Sequence, residues 1–524
     1  MLKEYCMTQN DLKVLDCTLR DGGYINDWKW GYHRARAIIR YLTKAKVDFV
    51  EVGFLRNVVE YDENITVCNT IEELNRLLPS DCGNTVFSAM AMRSNYDIEK
   101  LTPYSGTGIE MIRITAHEND IQEGLEFAKE VKAKGYKLSI NPINIMGYSD
   151  EQLLWIIKQV NEIQPYQFSI VDTFGSMKRR DLDRIVSIVD NNLNSDIRVA
   201  LHLHENMALS CCLAQQFVDK HLKRPTAIDA SLLGMGRIPG NLPIELVADY
   251  LNDYVDAAYD IDYMMDAIHD YIEPIKGKSK WGYTPAYFLS AKFNLHRNYA
   301  EYYLNKGDLT HRDINHILAA FDARKAAVFD ELYANEQYMA YKEHSIDDTD
   351  DFERLRSELK GKNILLIAPG TSIAKNQAQI EKYIDEKTPF VISINFIPEM
   401  YDVDMAFFSN NRRFEQVSDS ACTKIVTSNI ENQTAMYRLN YNRLSSSFQQ
   451  GYNSYVMLLK LLKDIGIKMV AVAGADGYID GQECYYKSSL NNYMEQDYNH
   501  NLQVKNAIRM IGIEIDYITK SKYE

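Results

Sequence analysis

Apolar runs alternate with amphipathic stretches through the first half of the chain. Eight short runs rich in Val, Ile, Leu and Phe lie between Leu12 and Gly236: LKVLDCT from Leu12, VDFVEVGF from Val47, TVFSAMAM from Thr85, MIRITA from Met111, KLSINPIN from Lys137, QFSIVDTF from Gln167, RVALHLH from Arg198 and AIDASLLGMG from Ala227. Between them HRARAIIRYLTKA, IQEGLEFAKEVKAKG, SDEQLLWIIKQVNEI and RRDLDRIVSIVDNNL set apolar residues three and four apart, the period of a helix with one buried face. Near-continuous apolar strands alternating with such helices predict an α/β fold with a parallel sheet covered by helices, and eight units in about 240 residues fit a (β/α)8 TIM barrel. A doubly wound open sheet is the structural rival. The barrel is preferred because residues capable of chemistry fall at the C-terminal ends of many strands, where a barrel gathers them around one mouth.

Beyond the barrel, read as residues 1–259, the pattern changes twice. Residues 260–345 carry only helical spacing, in YMMDAIHDYIEPI, PAYFLSAKFNLHRNYAEYYLNKG and HRDINHILAAFDARKAAVFDELY, and form a helical appendage. Its His296, His311 and His316 lack ligand spacing and are expected to be surface or packing residues. The acidic stretch 346–359 reads as a linker or a solvated helix start. Residues 360–524 return to strands, with NILLIAPGTSIA, PFVISINF, DMAFFSN, TKIVTSN, IKMVAVAGADGY and IEIDYIT, and are read as a second, Rossmann-like domain. In its first strand-to-helix turn, backbone N–H groups of Gly370, Thr371 and Ser372 are expected to point at an anion.

Composition narrows the function. A net charge of -15 argues against a general nucleic-acid or anionic-membrane binder and leaves small molecules as partners. Eight cysteines, at 6, 17, 68, 82, 211, 212, 422 and 484, have neither C-x-x-C spacing nor a framework pattern, and the N-terminus lacks the apolar core of a signal peptide. No stretch reaches membrane-spanning length. A cytoplasmic protein with reduced thiols is expected.

Two stretches carry the chemistry. In LHLHEN, from Leu201, the strand period of two puts His202 and His204 on one side near a strand's C-terminal end, able to chelate one ion. In LDCTLRDGGY, from Leu15, charge follows directly on a buried strand: Asp21 offers a carboxylate to that ion, although a surface turn also accounts for Asp21-Gly22-Gly23. Two imidazoles and a carboxylate leave positions open on a divalent cation, the arrangement for Lewis-acid chemistry. Arg20 beside it adds a fixed charge suited to an enolate oxygen, which favours making or breaking a carbon–carbon bond next to a carbonyl.

LDCTLRDGG, VEVGF, MIRITAH, VDTFGSM, LHLHENMALS and GMGRIPGN, in that order, make residues 12 to about 250 similar to the metal-dependent aldolases and lyases that include 4-hydroxy-2-oxovalerate aldolase, hydroxymethylglutaryl-CoA lyase and isopropylmalate synthase. The resemblance implies that Asp21, His202 and His204 bind Mg2+ or Mn2+, with Asn241 near the metal. It further implies that Arg20 steadies a pyruvate-like enolate and that Thr173 and Arg113, the latter ending the fourth strand, contact substrate. The chain departs from the aldolases where they carry a catalytic histidine three residues after the aspartate: here stands Tyr24. Proton transfer then falls to Tyr24, whose phenol has an ordinary pKa of about 10, or to Glu51 or His33.

The C-terminal segments LLIAPGTSI, VISINFIPEMYDVDMAFFSNNRRF and AVAGADGY resemble bacterial sialyltransferase-like proteins. That implies a nucleotide or nucleotide-sugar pocket bordered by Asn395, Asp476 and the 370–372 turn, and a place in surface-polysaccharide synthesis. The combined expectation is an aldolase or carbon–carbon lyase taking a keto acid and an aldehyde, working as a homo-oligomer. The alternative is a metal-binding scaffold or nucleotide-binding module without aldolase turnover.

Overall fold

The computed structural model describes residues 11–524 except 307–308, 310, 326–327, 344–345, 418–419, 431–434, 446–451, 479–483, 488–489 and 491–497. Cys6 lies outside the described residues. The chain divides into two compact units, Met1–Ala334 and Asn335–Glu524.

The first unit is a closed (β/α)8 barrel. Its strands are β1 (Leu12–Asp16), β2 (Phe49–Leu55), β3 (Val86–Ala91), β4 (Ile109–Ala116), β5 (Lys137–Pro142), β6 (Gln167–Asp172), β7 (Arg198–Leu203) and β8 (Thr226–Ala230). All neighbours are parallel, and β1 pairs with both β2 and β8, which closes the ring. Each of the eight apolar runs coincides with one of these strands, with no strand extending more than two residues beyond its run. They were legible because a barrel strand is buried on both faces: every residue of Phe49–Leu55 is buried.

The helices follow the sequence pattern for the expected reason. Tyr32–Lys44 buries Ala35, Ile38, Ile39 and Leu42 along one stripe, and each fully buried aliphatic side chain contributes roughly 1.5–3 kcal/mol. Asp150–Ile163 starts on a capping box, Ser149 Oγ accepting from Gln152 N at 3.2 Å while Gln152 Oε1 accepts from Ser149 N at 2.8 Å. The helical segment after the barrel docks on the barrel loops. Trp281 Nε1 donates to Leu233 O at 2.9 Å and Arg297 Nη1 to Ile238 O at 3.0 Å, and Ser176 Oγ meets Asn294 Oδ1 at 2.8 Å.

The second unit is an open, seven-stranded parallel sheet. Its strands are β9 (Ile364–Ile367), β10 (Phe390–Ile394), β11 (Met405–Phe408), β12 (Thr423–Thr427), β13 (Tyr437–Leu439), β14 (Met469–Ala473) and β15 (Glu514–Tyr517), in the order β13-β12-β11-β10-β9-β14-β15. Ile364 and Leu366 enter one apolar core while Leu365 and Ile367 enter another, so both faces are covered. The acidic stretch after residue 346 becomes the helix Thr349–Leu359, which places Asp350 and Asp351 in its first turn and buries Leu355 and Leu359 in the first of these cores. No helix among the described residues is long and apolar enough to cross a membrane.

One irregularity positions the barrel mouth. The β2–β3 register shifts between Glu51 and Phe54, and at Gly53 the strand passes so close to the segment leading into the short parallel pairing of Val67–Cys68 that a Cβ would lie 2.1 Å from Thr66 O. Gly53→Ala is expected to cost about 1–3 kcal/mol of stability, read as a lowered denaturation midpoint, whereas Gly277→Ala, at a negative φ and with no atom nearer than 3.7 Å, serves as the control for glycine replacement without a clash.

Candidate metal centre

The chain leaves β1 directly into a helical turn, Thr18–Asp21, in which all four residues are buried. That turn carries Arg20 and Asp21 over the barrel axis, facing the end of β7. One ligand atom from each of Asp21, His202 and His204 lies within 4.8 Å of the others, and all three residues are buried. His202 Nδ1 contacts Asp229 Oδ2 at 3.1 Å, and His204 Nδ1 contacts Asp172 O at 2.9 Å. Each Nδ1 is therefore engaged as a donor, which leaves each Nε2 lone pair as the ligand. His204 Nε2 stands 3.7 Å from Asp21 Oδ2.

The donor set fits a hard or borderline divalent cation. Asp21 Oδ2 and Asn241 Oδ1 are buried without a hydrogen-bond partner, a costly arrangement unless a cation completes them. The backbone keeps the space between them clear: a Cβ on Gly236 would lie 2.3 Å from Asn241 Nδ2 and 3.0 Å from Asp21 Oδ2. Burial acts to raise the Asp21 carboxyl, but the Arg20 guanidinium, with His204 and His202, holds it well below the usual carboxylate range. Burial lowers His202 more than Asp229 raises it, so the imidazole is available in its neutral, ligating form.

Behind the ligands runs a chain of buried charges. Arg20 Nη1 donates to Asp21 Oδ1 at 2.7 Å and Arg20 Nε to Glu51 Oε2 at 2.6 Å. Glu51 Oε2 also lies 3.1 Å from Arg113 Nη1, and Arg113 Nη2 donates to Asp229 Oδ2 and, at 3.2 Å, to Asn141 Oδ1. Asp229 then orients His202. The fully buried Glu51 is clamped by two guanidiniums and does not line the mouth, which corrects its expected place as a base: it positions Arg20. Arg113 sits within β4 rather than at its end, and Asp229, which the sequence reading passed over, links it to the ligand His202.

The mouth encloses a cavity of about 210 Å³. Arg20, Asp21, Tyr24, Arg113, Thr173, His202 and His204 all line it, whereas His33 is exposed on its helix and does not. Thr173 Oγ1 accepts from Asn144 N at 2.7 Å, which leaves its hydroxyl proton to donate. Tyr24 packs edge-on against Trp28 at 4.7 Å. Three basic lining residues are not apparent from the sequence pattern: Arg56, Arg237 and His117. A fourth, His296, corrects the reading of the appendage histidines, because the docked helical segment brings it to the mouth, 2.6 Å from Arg237 Nη2. Burial, with the charge of Arg237, pushes the His296 imidazole down to about 3.

The 370–372 turn of the second unit is a further correction. Gly370 N donates to Gly474 O at 2.9 Å and Ser372 N to Asp476 Oδ2 at 2.8 Å, while Ser372 Oγ donates to Asp476 Oδ1. Two of the three donors expected for a phosphate are thus engaged within the protein, Gly370 N by a backbone carbonyl and Ser372 N by a carboxylate. A cavity of about 240 Å³ lies beside the turn, lined by Gly370, Asn395 and Asp476 but not by Thr371 or Ser372.

Two outcomes follow from these contacts. Asp229→Ala removes the acceptor that fixes His202, and metal affinity measured by calorimetry should fall about 10–100-fold; unchanged affinity would mean that His202 needs no such anchor. His296 is held neutral in the folded state far below its ordinary value of 6.5. Between those values the unfolded chain binds the extra proton, so stability falls as pH drops from about 6.5 towards 3. His296→Gln should therefore lose less melting temperature between pH 7 and pH 5 than the parent chain does.

The HMGL-like family model matches residues 11–270. Over 238 residues the chain is 26% identical to an oxaloacetate decarboxylase of Mycobacterium tuberculosis, covering 45% of this chain and 69% of that protein. Over 242 residues it is 26% identical to a 4-hydroxy-2-oxovalerate aldolase of Mycobacteroides abscessus, covering 45% of this chain and 65% of the relative. The chain thus spans about two thirds of these relatives' length. The HMG-CoA lyase structure from Bacillus subtilis aligns over 52% of this chain and 95% of that one, with 13% identity and a TM-score of 0.41. Residues 11–270 of the chain are thus similar to the HMGL-like family.

Proposed function

We propose that the barrel unit is a divalent-metal-dependent aldolase or carbon–carbon lyase that works through the enolate of a pyruvate-type 2-oxo acid, with Mg2+ or Mn2+ as its metal. The observation that carries this reading is the convergence of Asp21, His202 and His204, with both histidine Nδ1 atoms tied back, beside the buried guanidinium of Arg20. A divalent cation held by these residues supplies Lewis-acid polarisation of a substrate carbonyl. Burial opposes the Arg20 charge, but Glu51 and Asp21 outweigh it and keep the guanidinium protonated throughout the working pH range. Its positive charge favours an oxyanion more strongly as negative charge develops there, so it lowers the barrier rather than only tightening binding. The Thr173 hydroxyl donates to the substrate carboxylate. The relatives named for oxaloacetate and for 4-hydroxy-2-oxovalerate handle 2-oxo acids, on which such an enolate forms.

Proton transfer at the substrate carbon has three candidates on the cavity wall: Tyr24, His117 and His296. Burial lowers both histidines, so each is neutral near neutral pH, and His296, at about 3 and against the Arg237 guanidinium, is a far weaker base than His117. Tyr24 in place of a histidine favours a second reading, a metal-binding scaffold without turnover.

Exchange of the pyruvate methyl hydrogens for deuterium, followed by NMR with Mg2+ or Mn2+ present, separates the two. Metal-dependent exchange is expected, lost in His202→Ala together with the metal. Arg20→Ala should lower the exchange rate about 10²–10³-fold while metal stays bound. Absence of exchange in the metal-loaded parent chain would favour the scaffold.

A further inference from the structure

We infer that the barrel mouth selects a substrate bearing a second anionic group, a carboxylate or phosphate, at the end remote from its 2-oxo acid, and that Arg56 and Arg237 hold that group. The inference rests on the 2-oxo acid reading for the other end of the substrate.

The cavity wall carries four arginines against one acid among the described residues, Arg20, Arg56, Arg113 and Arg237 against Asp21. Two of the arginines are already balanced. Arg20 pairs with Asp21 and Glu51, and Arg113 with Glu51 and Asp229. Arg56 and Arg237 are half-buried and have no ion-pair partner among the described residues. Arg56 Nε is buried without a hydrogen-bond partner, and Arg237 Nη2 meets only the neutral His296. Unbalanced guanidiniums in a cavity are unfavourable unless an anion arrives to pair with them.

Their mounting explains how they stay ready for one. Tyr24, Trp28 and Phe54 form an aromatic trio with centroids 4.7, 5.7 and 6.3 Å apart. The Arg56 guanidinium lies 4.0 Å from the Phe54 centroid and 5.0 Å from that of Trp28, and Arg237 lies 5.7 Å from the Tyr24 centroid. A guanidinium that stacks by its face keeps its N–H edge free for forked contact with a carboxylate or phosphate. Topology places the pair beside the metal ligands. Arg56 follows β2 and Arg237 follows β8, and these two strands flank β1, whose end carries Arg20 and Asp21. A substrate whose 2-oxo acid lies at Arg20 and Asp21 thus has a cation on either side for its remote group.

The test is calorimetric titration of the full chain loaded with Mn2+, using 2-oxoglutarate, 2-oxo-4-phosphonobutyrate and the uncharged-end analogue 2-oxopentanoate. At least one of the two doubly anionic compounds should bind about tenfold or more tightly than 2-oxopentanoate, and whichever binds more tightly identifies carboxylate or phosphate as the preferred group. The R56Q/R237Q double variant should lose that preference, and R56K/R237K should keep part of it. The inference is overturned if neither dianion outbinds 2-oxopentanoate, or if the preference survives in R56Q/R237Q. Absence of pyruvate deuterium exchange with the preference intact counts against the enolate reading alone; exchange without preference counts against this inference alone.

Discussion

Everything at the barrel mouth depends on the buried chain of alternating charges Asp21, Arg20, Glu51, Arg113 and Asp229. Their ion pairs join β1, β2, β4 and β8 through the barrel interior, with side chains no more than 6% exposed. Desolvating five charged groups is expensive, and apolar residues of similar volume would often be at least as stable. Once the pairs exist, however, deleting one member strands a partner, at a cost of about 3–5 kcal/mol. The chain is therefore self-enforcing, and it fixes Asp21 at one end and, through Asp229, His202 at the other.

Its charge also prepares the centre for a cation. Three carboxylates and two guanidiniums leave the chain one negative charge in excess when His202 and His204 are neutral. Oxygens at both ends and in the middle, Asp21 Oδ2, Asp229 Oδ1 and Glu51 Oε1, lack hydrogen-bond partners, but only Asp21 Oδ2 faces the two imidazoles. A divalent ion there turns the excess positive, and the arginines of the rim add to it. The same construction that holds the metal ligands thus makes the mouth attractive to anions.

The sequence carried the fold because barrel strands are apolar on both faces and their helices are amphipathic, two patterns that need no tertiary information. His202 and His204 were visible through the two-residue period of a strand, and Asp21 through its place just beyond β1. Glu51 was visible as a carboxylate in an apolar strand, yet its role was not, because only barrel closure sets it between Arg20 and Arg113. Asp229 sent the same kind of signal, an acid between Ile228 and Ala230, and deserved the same reading. His296 belongs to a segment whose helical pattern says nothing about folding back over the mouth; that depends on contacts such as Arg297 with Ile238 O. The 370–372 turn misled for the opposite reason. Its local pattern is that of an anion cradle, but Gly474 O takes the Gly370 N–H and Asp476, 104 residues from Ser372, takes the Ser372 N–H.

The central claim is that the contacts of His202 Nδ1 with Asp229 and of His204 Nδ1 with Asp172 O turn both Nε2 atoms and Asp21 Oδ2 onto one divalent cation. Anomalous diffraction from crystals of the full chain grown with Mn2+ tests it most directly. The account predicts a single strong peak in the barrel mouth about 2.0–2.3 Å from Asp21 Oδ2 and from Nε2 of both histidines. A fully occupied Mn2+ elsewhere with this triad empty, or an ion ligated through either Nδ1, would contradict it.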